Sequence, residues 1–177
     1  MSGRPFIVVS GLPASGKTTL GSQLAVALRL PLLDKDDILE AMFEQVADID
    51  PAKRSQLSRM SDDVLAKIAG ASQGAVVVSH WRRDGIAGGT PVGWLSGLQG
   101  TLVEVHCVCP PEVAERRFRM RRRHLAHDDA SRADGLGAQF RQLADRGPLM
   151  IGSTITVRTD QPCDLAALLE EVRCRLT

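Results

Sequence analysis

The stretch Gly11-Leu12-Pro13-Ala14-Ser15-Gly16-Lys17-Thr18-Thr19 constrains this chain more than any other. Its spacing is G-x-x-x-x-G-K-[ST], which wraps successive backbone N–H groups around a phosphate. Both flanks agree with that reading. Phe6-Ile7-Val8-Val9-Ser10 is short, apolar and rich in β-branched residues, as a buried parallel strand should be. Thr19 to Leu30 places Leu20, Leu24, Ala27 and Leu28 on one helical face. A strand, a glycine turn and a helix start bring the helix's partial positive charge to the turn. Gly11 and Gly16 let the main chain approach an oxyanion with no Cβ in the way. Lys17 can reach the outer phosphates, and the Thr18 hydroxyl suits Mg²⁺. The expected nucleotide contacts are therefore Gly11, Ala14, Ser15, Gly16, Lys17, Thr18 and Thr19.

The chain has 177 residues, 44% of them hydrophobic, enough for one domain with its own core. Charge is balanced, 22 Lys and Arg against 21 Asp and Glu, so nothing draws the whole protein to nucleic acid or an anionic membrane. No apolar run approaches the ~20 residues of a membrane span. Met1 to Pro5 leads directly into the first strand and leaves no room for a signal peptide. The four cysteines, Cys107, Cys109, Cys163 and Cys174, lack zinc spacing and read as buried free thiols. The expectation is a reduced, cytoplasmic protein.

Pro31-Leu32-Leu33 reads as a second strand, ending in Asp34-Lys35-Asp36-Asp37. Carboxylates at a strand end in an open α/β fold fall where ligands bind. They also suit the start of the following helix, expected over Ile38 to Val46, so one can cap while another faces the ligand. Asp50-Pro51 marks the start of a helix that ends near Gly70, with Leu57, Met60, Val64, Leu65 and Ile68 inward and Lys53, Arg54 and Arg59 solvated. Gly74 to Val78 is a third strand. It runs into Ser79-His80-Trp81-Arg82, where His80, Trp81 and Arg82 are candidate substrate contacts and Trp81 reads equally well as packing beneath a loop. Gly85 to Gly100 is a glycine-rich connector. Thr101 to Cys109 is a fourth strand, closed by Pro110-Pro111. The next helix is cationic, from Arg116 to Arg123, and Arg117 and Arg121 share a face that can clamp phosphate oxygens. Leu125 to Gly137 suits a mobile lid. A helix from Gln139 to Leu143, a fifth strand at Ile155 to Val157 and a last helix capped by Asp164 complete the chain.

The glycine loop, the acidic end of the second strand, the Arg117 and Arg121 pair and the capped last helix resemble the small P-loop kinases that phosphorylate non-nucleotide hydroxyls. These include gluconate and shikimate kinases, chloramphenicol phosphotransferase, zeta-toxin-like kinases and the kinase domain of polynucleotide kinase. The resemblance covers nearly the whole chain. It implies an α/β P-loop NTP hydrolase fold over residues 1–177, with a five-stranded parallel sheet in the order 2-3-1-4-5 and an Arg-rich lid at about 117–137. It implies ATP and Mg²⁺, with Thr18 on the metal, Asp36 reaching it through water, and a small hydroxylated substrate as partner. Asp36 best matches the base, with Asp34 a close second. Lys17, Arg117 and Arg121 would stabilise the transferring phosphoryl, and Arg158 would lie near the adenine. The acidic residue that often ends the third strand in P-loop proteins is replaced by Ser79 and His80. The alternatives are a P-loop ATPase acting as a regulatory module and a nucleic-acid 5′-hydroxyl kinase.

Overall fold

The structure is a computed structural model and describes residues 3–83, 88–121, 124–127 and 135–177. The strands along the chain are β1 (Arg4–Gly11), β2 (Leu32–Asp34), β3 (Ala75–Val78), β4 (Trp81–Arg82), β5 (Thr90–Pro91), β6 (Gly100–Val108) and β7 (Ser153–Arg158). Five of them form one parallel sheet in the order β2-β3-β1-β6-β7. With the separate two-residue pair β4–β5 set aside, this is the order 2-3-1-4-5 expected from the sequence.

Strand periodicity sets the layers. Phe6 and Val8 of β1 face one side, packed with Ala75, Val77, Leu65, Ala69 and Leu95. Leu65 and Ala69 belong to α3 (Pro51–Ala71). Ile7 and Val9 face the other side, against Leu20 and Leu24 of α1 (Lys17–Leu28) and Leu168 and Val172 of α6 (Leu165–Leu176). A strand covered on both faces must be apolar throughout, which is why β1 and β3 read as continuous hydrophobic runs.

Caps set the helix starts. Asp50 accepts the Lys53 N–H at 2.8 Å with Pro51 in the first turn, and Asp164 accepts the Ala167 N–H at 3.0 Å, as the sequence indicates. The second helix, α2 (Lys35–Glu44), begins three residues earlier than expected. The reason is Asp34, whose Oδ1 accepts the Asp36 N–H at 3.0 Å and so caps the helix where β2 ends. Asp36 and Asp37 therefore lie in its first turn.

The cationic helix α4 (Pro111–Met120) stops before Arg121, which is its extended C-cap. Arg122 and Arg123 lie outside the described residues, as does 128–134 of the expected lid. His124 to His127 pack on α2 and α3, where Ala126 is buried with Leu39 and Leu57. The chain then enters α5 (Leu136–Ala144). The connector expected at Gly85 to Gly100 carries β5 and a 3₁₀ turn at Gly93–Gly97, with 84–87 outside the described residues. Among the described residues no helix is long and apolar enough to cross a membrane. Cys107 and Cys109 are buried and free, but Cys163 and Cys174 are exposed, against expectation. Cys163 precedes α6 and Cys174 lies on that helix's outer face, so neither reaches the core.

Glu104, on β6, is fully buried. Its carboxylate accepts from Ser10 Oγ at 2.5 Å, Leu149 N at 2.7 Å, Met150 N at 2.9 Å and Thr154 Oγ1 at 3.2 Å. These bonds compensate the loss of water around the charge. They also fix the turn at Leu149–Met150 to the strand that enters the glycine loop.

Candidate active site

The glycine loop opens into a cleft of ≈ 660 Å³ at the carboxyl edge of the sheet. Gly11 has φ 131°, and a Cβ there would sit 2.3 Å from the Cys107 carbonyl oxygen. Only glycine fits that turn. Gly16 caps α1 with φ 90°, and Ala14, though not glycine, has φ 57°. Ala14, Gly16, Lys17, Thr18 and Thr19 line the cleft. Gly11 and Ser15 do not: Gly11 shapes the turn from behind, and Ser15 is fully buried. Ser15 Oγ has no partner among the described residues. It sits behind the loop, 2.9 Å from where a Cβ on Gly11 would stand, and does not line the cleft.

Lys17 is buried and turned back on the loop, its Nζ donating to Leu12 O at 2.7 Å and Gly11 O at 3.2 Å. Burial pulls its pKa below the ordinary lysine value, while the nearby Asp36 and Asp34 carboxyls pull the other way. An anion in the cleft offers the ammonium a stronger partner than two carbonyls.

Thr18 Oγ1 donates to Asp34 Oδ2 at 2.9 Å. Asp34 thus joins the loop to α2, holding Thr18 with one oxygen and the cap with the other. Burial pushes its carboxyl up to about 6 from 3.8, against the hydrogen bonds from Asp36 N–H and Thr18. Among the described residues no three His, Cys, Asp or Glu side chains gather as a metal cage. Mg²⁺ does not need one, since it keeps several waters and takes one or two protein oxygens beside substrate phosphates. The paired oxygens of Thr18 and Asp34 fit that demand.

The raised Asp34 pKa has a thermodynamic consequence. The folded state favours the protonated carboxyl, so its contribution to stability is complete below about pH 4 and is lost as pH rises through about 6. By pH 7 the charged form costs about 3 kcal/mol. Asp34→Asn in the ligand-free protein should therefore be the more stable form at pH 7, by up to about 3 kcal/mol, and match wild type near pH 4. Urea unfolding at the two pH values checks this, and equal midpoints at pH 7 would refute it.

Asp36 lines the same cleft on the first turn of α2. Asp37 does not line it. Arg117 and Arg121 line it as well. Arg117 donates to Thr159 O at 2.9 Å, and the Arg121 guanidinium lies 4.1 Å from the Phe118 ring centroid. Arg121 is past the end of α4, so the two do not continue one helical face, yet both meet the cleft. Arg158 is placed elsewhere: it is exposed and paired with Asp160 at 2.7 Å, while Thr159, Gln161 and Cys163 take the cleft wall after β7.

His80 lines the cleft and also a second cavity of ≈ 250 Å³ behind the loop. Arg82 lines only the second, its Nε donating to Gly89 O at 2.9 Å. Trp81 belongs to the core. Its indole N–H donates to Val9 O at 2.8 Å and its ring packs with Leu95 and Trp94, leaving one edge on the second cavity. A buried indole needs both an apolar bed and a partner for its N–H, and this site supplies both.

Several cleft residues lie outside the sequence expectation. Lys35 is buried, with Nζ 3.0 Å from Ser58 Oγ and 3.2 Å from Asp62 Oδ1. Asp62 also accepts from Thr90 Oγ1 at 2.6 Å, and Thr90 meets Ser79 Oγ at 2.5 Å. A carboxylate from α3 thus reaches the strand end that lacks its own acid. Arg54, expected to be solvated, lines the cleft and donates to Ala126 O at 2.9 Å. His127 lines it too. The lysine between two aspartates was the available local signal for Lys35. For Arg54 and His127 the sequence offered none.

The comparisons agree with this geometry. A family model described as an AAA domain, AAA_33, matches residues 6–146. A shikimate kinase of Corynebacterium jeikeium is 37% identical over 86 residues, 44% of this chain and 46% of that protein. One from Corynebacterium glutamicum is 47% identical over 36 residues, 20% of this chain and 21% of that protein. The chain thus spans less than half the length of these curated relatives. A candidate kinase from Chloroflexus aurantiacus superposes with a TM-score of 0.74 at 28% identity, covering 99% of this chain and 97% of that one. Shikimate kinase from Acinetobacter baumannii, at TM-score 0.59 and 18% identity over 96% and 90% of the two chains, shares the fold. The family match covers most of the chain, and the loop, the sheet order and the cleft all accord with it: the chain belongs to the AAA_33 family of P-loop domains.

Proposed function

We propose that this chain transfers the γ-phosphoryl of ATP to a hydroxyl of a small molecule. The observation that carries the reading is the gathering of Lys17, the Thr18–Asp34 pair, Asp36, Arg117 and Arg121 around one cleft. The loop's N–H groups and Lys17 bind the phosphates. Mg²⁺, held at Thr18 and Asp34 and through water at Asp36, would neutralise charge on the phosphate oxygens. Asp36 orients the acceptor hydroxyl and takes its proton. Arg117 and Arg121 stabilise the phosphoryl in flight. The partial matches to shikimate kinases support this reading over a switch-type ATPase. Arg119 is paired with Glu115 at 2.8 Å, so the described arginines do not form one open basic stripe, which weighs against a nucleic-acid acceptor.

The second cavity supports an anionic acceptor. Arg82, Arg83 and Arg146 line it with His80 and His106, and no carboxylate does so among its described lining residues. Burial keeps the His106 imidazole below its ordinary pKa. His80 lines both this cavity and the cleft.

The test separates binding from transfer. Asp36→Asn keeps size and hydrogen bonding but removes the proton acceptor. It should leave ATP affinity nearly intact and slow transfer to hydroxy acids, shikimate and gluconate first, by about 10²-fold or more. A fully active Asp36→Asn beside an inactive Asp34→Asn would move the base to Asp34.

A further inference from the structure

The end of β3 brings a hydroxyl, not an acid, to the cleft. Val78 pairs with Val9 of β1 on one side and with Asp34 of β2 on the other. Ser79, the next residue, therefore stands at the carboxyl edge of the sheet, between the strand that enters the glycine loop and the strand that delivers Asp34. It is buried and lines the cleft with Lys17, Thr18 and Asp34. Its Oγ lies 2.5 Å from Oγ1 of Thr90, a fully buried residue of β5. Either hydroxyl of such a pair can donate. Here a third group decides. Thr90 Oγ1 is 2.6 Å from Oδ1 of Asp62 on α3, and an ionised carboxylate only accepts. The one Thr90 hydrogen therefore goes to Asp62, and Ser79 gives its own hydrogen to Thr90. Lys35 holds the far end, its Nζ donating to the same Asp62 oxygen at 3.2 Å and to Ser58 Oγ at 3.0 Å.

We propose that Asp62, acting through Thr90, fixes Ser79 as an acceptor toward the hydrated Mg²⁺ of the cleft, supplying from α3 what the end of β3 lacks. The proposal rests on the reading of the cleft as an Mg·ATP site. With its hydrogen committed to Thr90, Ser79 Oγ has only lone pairs left to offer. Among the described residues no other group meets that oxygen. A cation that keeps several of its waters needs acceptors around it for their hydrogens. A freely rotating hydroxyl would present its hydrogen as readily as its lone pairs, and the chain of bonds removes that choice. The carboxylate at one end also polarises the oxygen at the other. Neither Thr90 nor Asp62 lines the cleft, so both are positioning residues.

The test is ATP affinity by calorimetry, measured without divalent ion and across a Mg²⁺ titration. In the wild type Mg²⁺ should tighten ATP. Thr90→Val, which removes the hydroxyl at nearly constant volume, should raise the Mg²⁺ concentration for half of that gain about fivefold, the worth of one hydrogen bond. Ser79→Ala should do the same, and both should leave the metal-free affinity within about twofold of wild type. The double variant should be no worse than either single one, because the two hydroxyls act as a unit. Thr90→Ser, which keeps the link, should stay within about twofold of wild type. Asp62→Ala should raise the Mg²⁺ requirement in the wild-type background and have no effect on it beside Ser79→Ala. A wild-type Mg²⁺ requirement in Thr90→Val or Ser79→Ala overturns the proposal and leaves the Mg·ATP reading standing. So does an equal shift by Asp62→Ala with and without Ser79. A wild-type protein that binds no ATP, or gains nothing from Mg²⁺, refutes the Mg·ATP reading and the proposal with it.

Discussion

Lys17→Ala should fold, bind ATP more weakly and lose turnover by about 10²-fold or more, at least about 3 kcal/mol of transition-state stabilisation. The size follows from where the charge sits. Lys17 is buried at the base of the loop, where its Nζ donates to the Leu12 and Gly11 carbonyls. Burial depresses its pKa, so the free protein bears a cost that a bound phosphate relieves. Alanine removes the cation and leaves both carbonyls without it. The fold does not depend on the side chain, because α1 starts from the left-handed Gly16 with no side-chain cap. Turnover by stopped assay and ATP affinity by calorimetry read the two effects separately. Unchanged turnover in folded Lys17→Ala would defeat the assignment of the loop.

Glu104→Ala should cost stability and leave the cleft's chemistry untouched in whatever fraction stays folded. The Leu149 and Met150 N–H groups and the Thr154 hydroxyl would lose their acceptor, and the Ser10 hydroxyl would keep only His106 Nδ1, 2.7 Å away. Each orphaned donor costs about 1 kcal/mol or more, and the sum with the emptied volume is about 3–5 kcal/mol. Glu104→Gln keeps the volume and one carbonyl acceptor, and should lose roughly half as much. Denaturant unfolding of the three proteins gives the order. A Glu104→Ala protein as stable as wild type would mean that water replaces the carboxylate at no cost.

How much of this was legible in the sequence depended on the range of the contacts. The glycine loop was legible because its chemistry lies within nine consecutive residues, Gly11 to Thr19, with a strand before and a helix after. Asp50-Pro51 and Asp164 were legible because a cap acts within three residues of itself. Asp34 was half legible. Its place at a strand end marked it for the cleft, but its double use as cap and Thr18 partner moved the start of α2 forward by three residues. Arg54 bonds to a residue 72 positions away and Glu104 to residues 45 and 46 away, and no local pattern records either. Trp81 followed the same logic. The sequence allowed both a ligand contact and packing beneath a loop, and the structure gives its N–H to the Val9 carbonyl while one edge of the ring meets the second cavity.

The central claim is that phosphoryl leaves ATP for a carbon-bound hydroxyl. The most direct measurement is the fate of the label from γ-labelled ATP with Mg²⁺, with and without a panel of hydroxylated acids and sugars. The account predicts label in an organic phosphate monoester, formed only with an acceptor and faster than release to water. Label found only in inorganic phosphate, at a rate no acceptor changes, would contradict it.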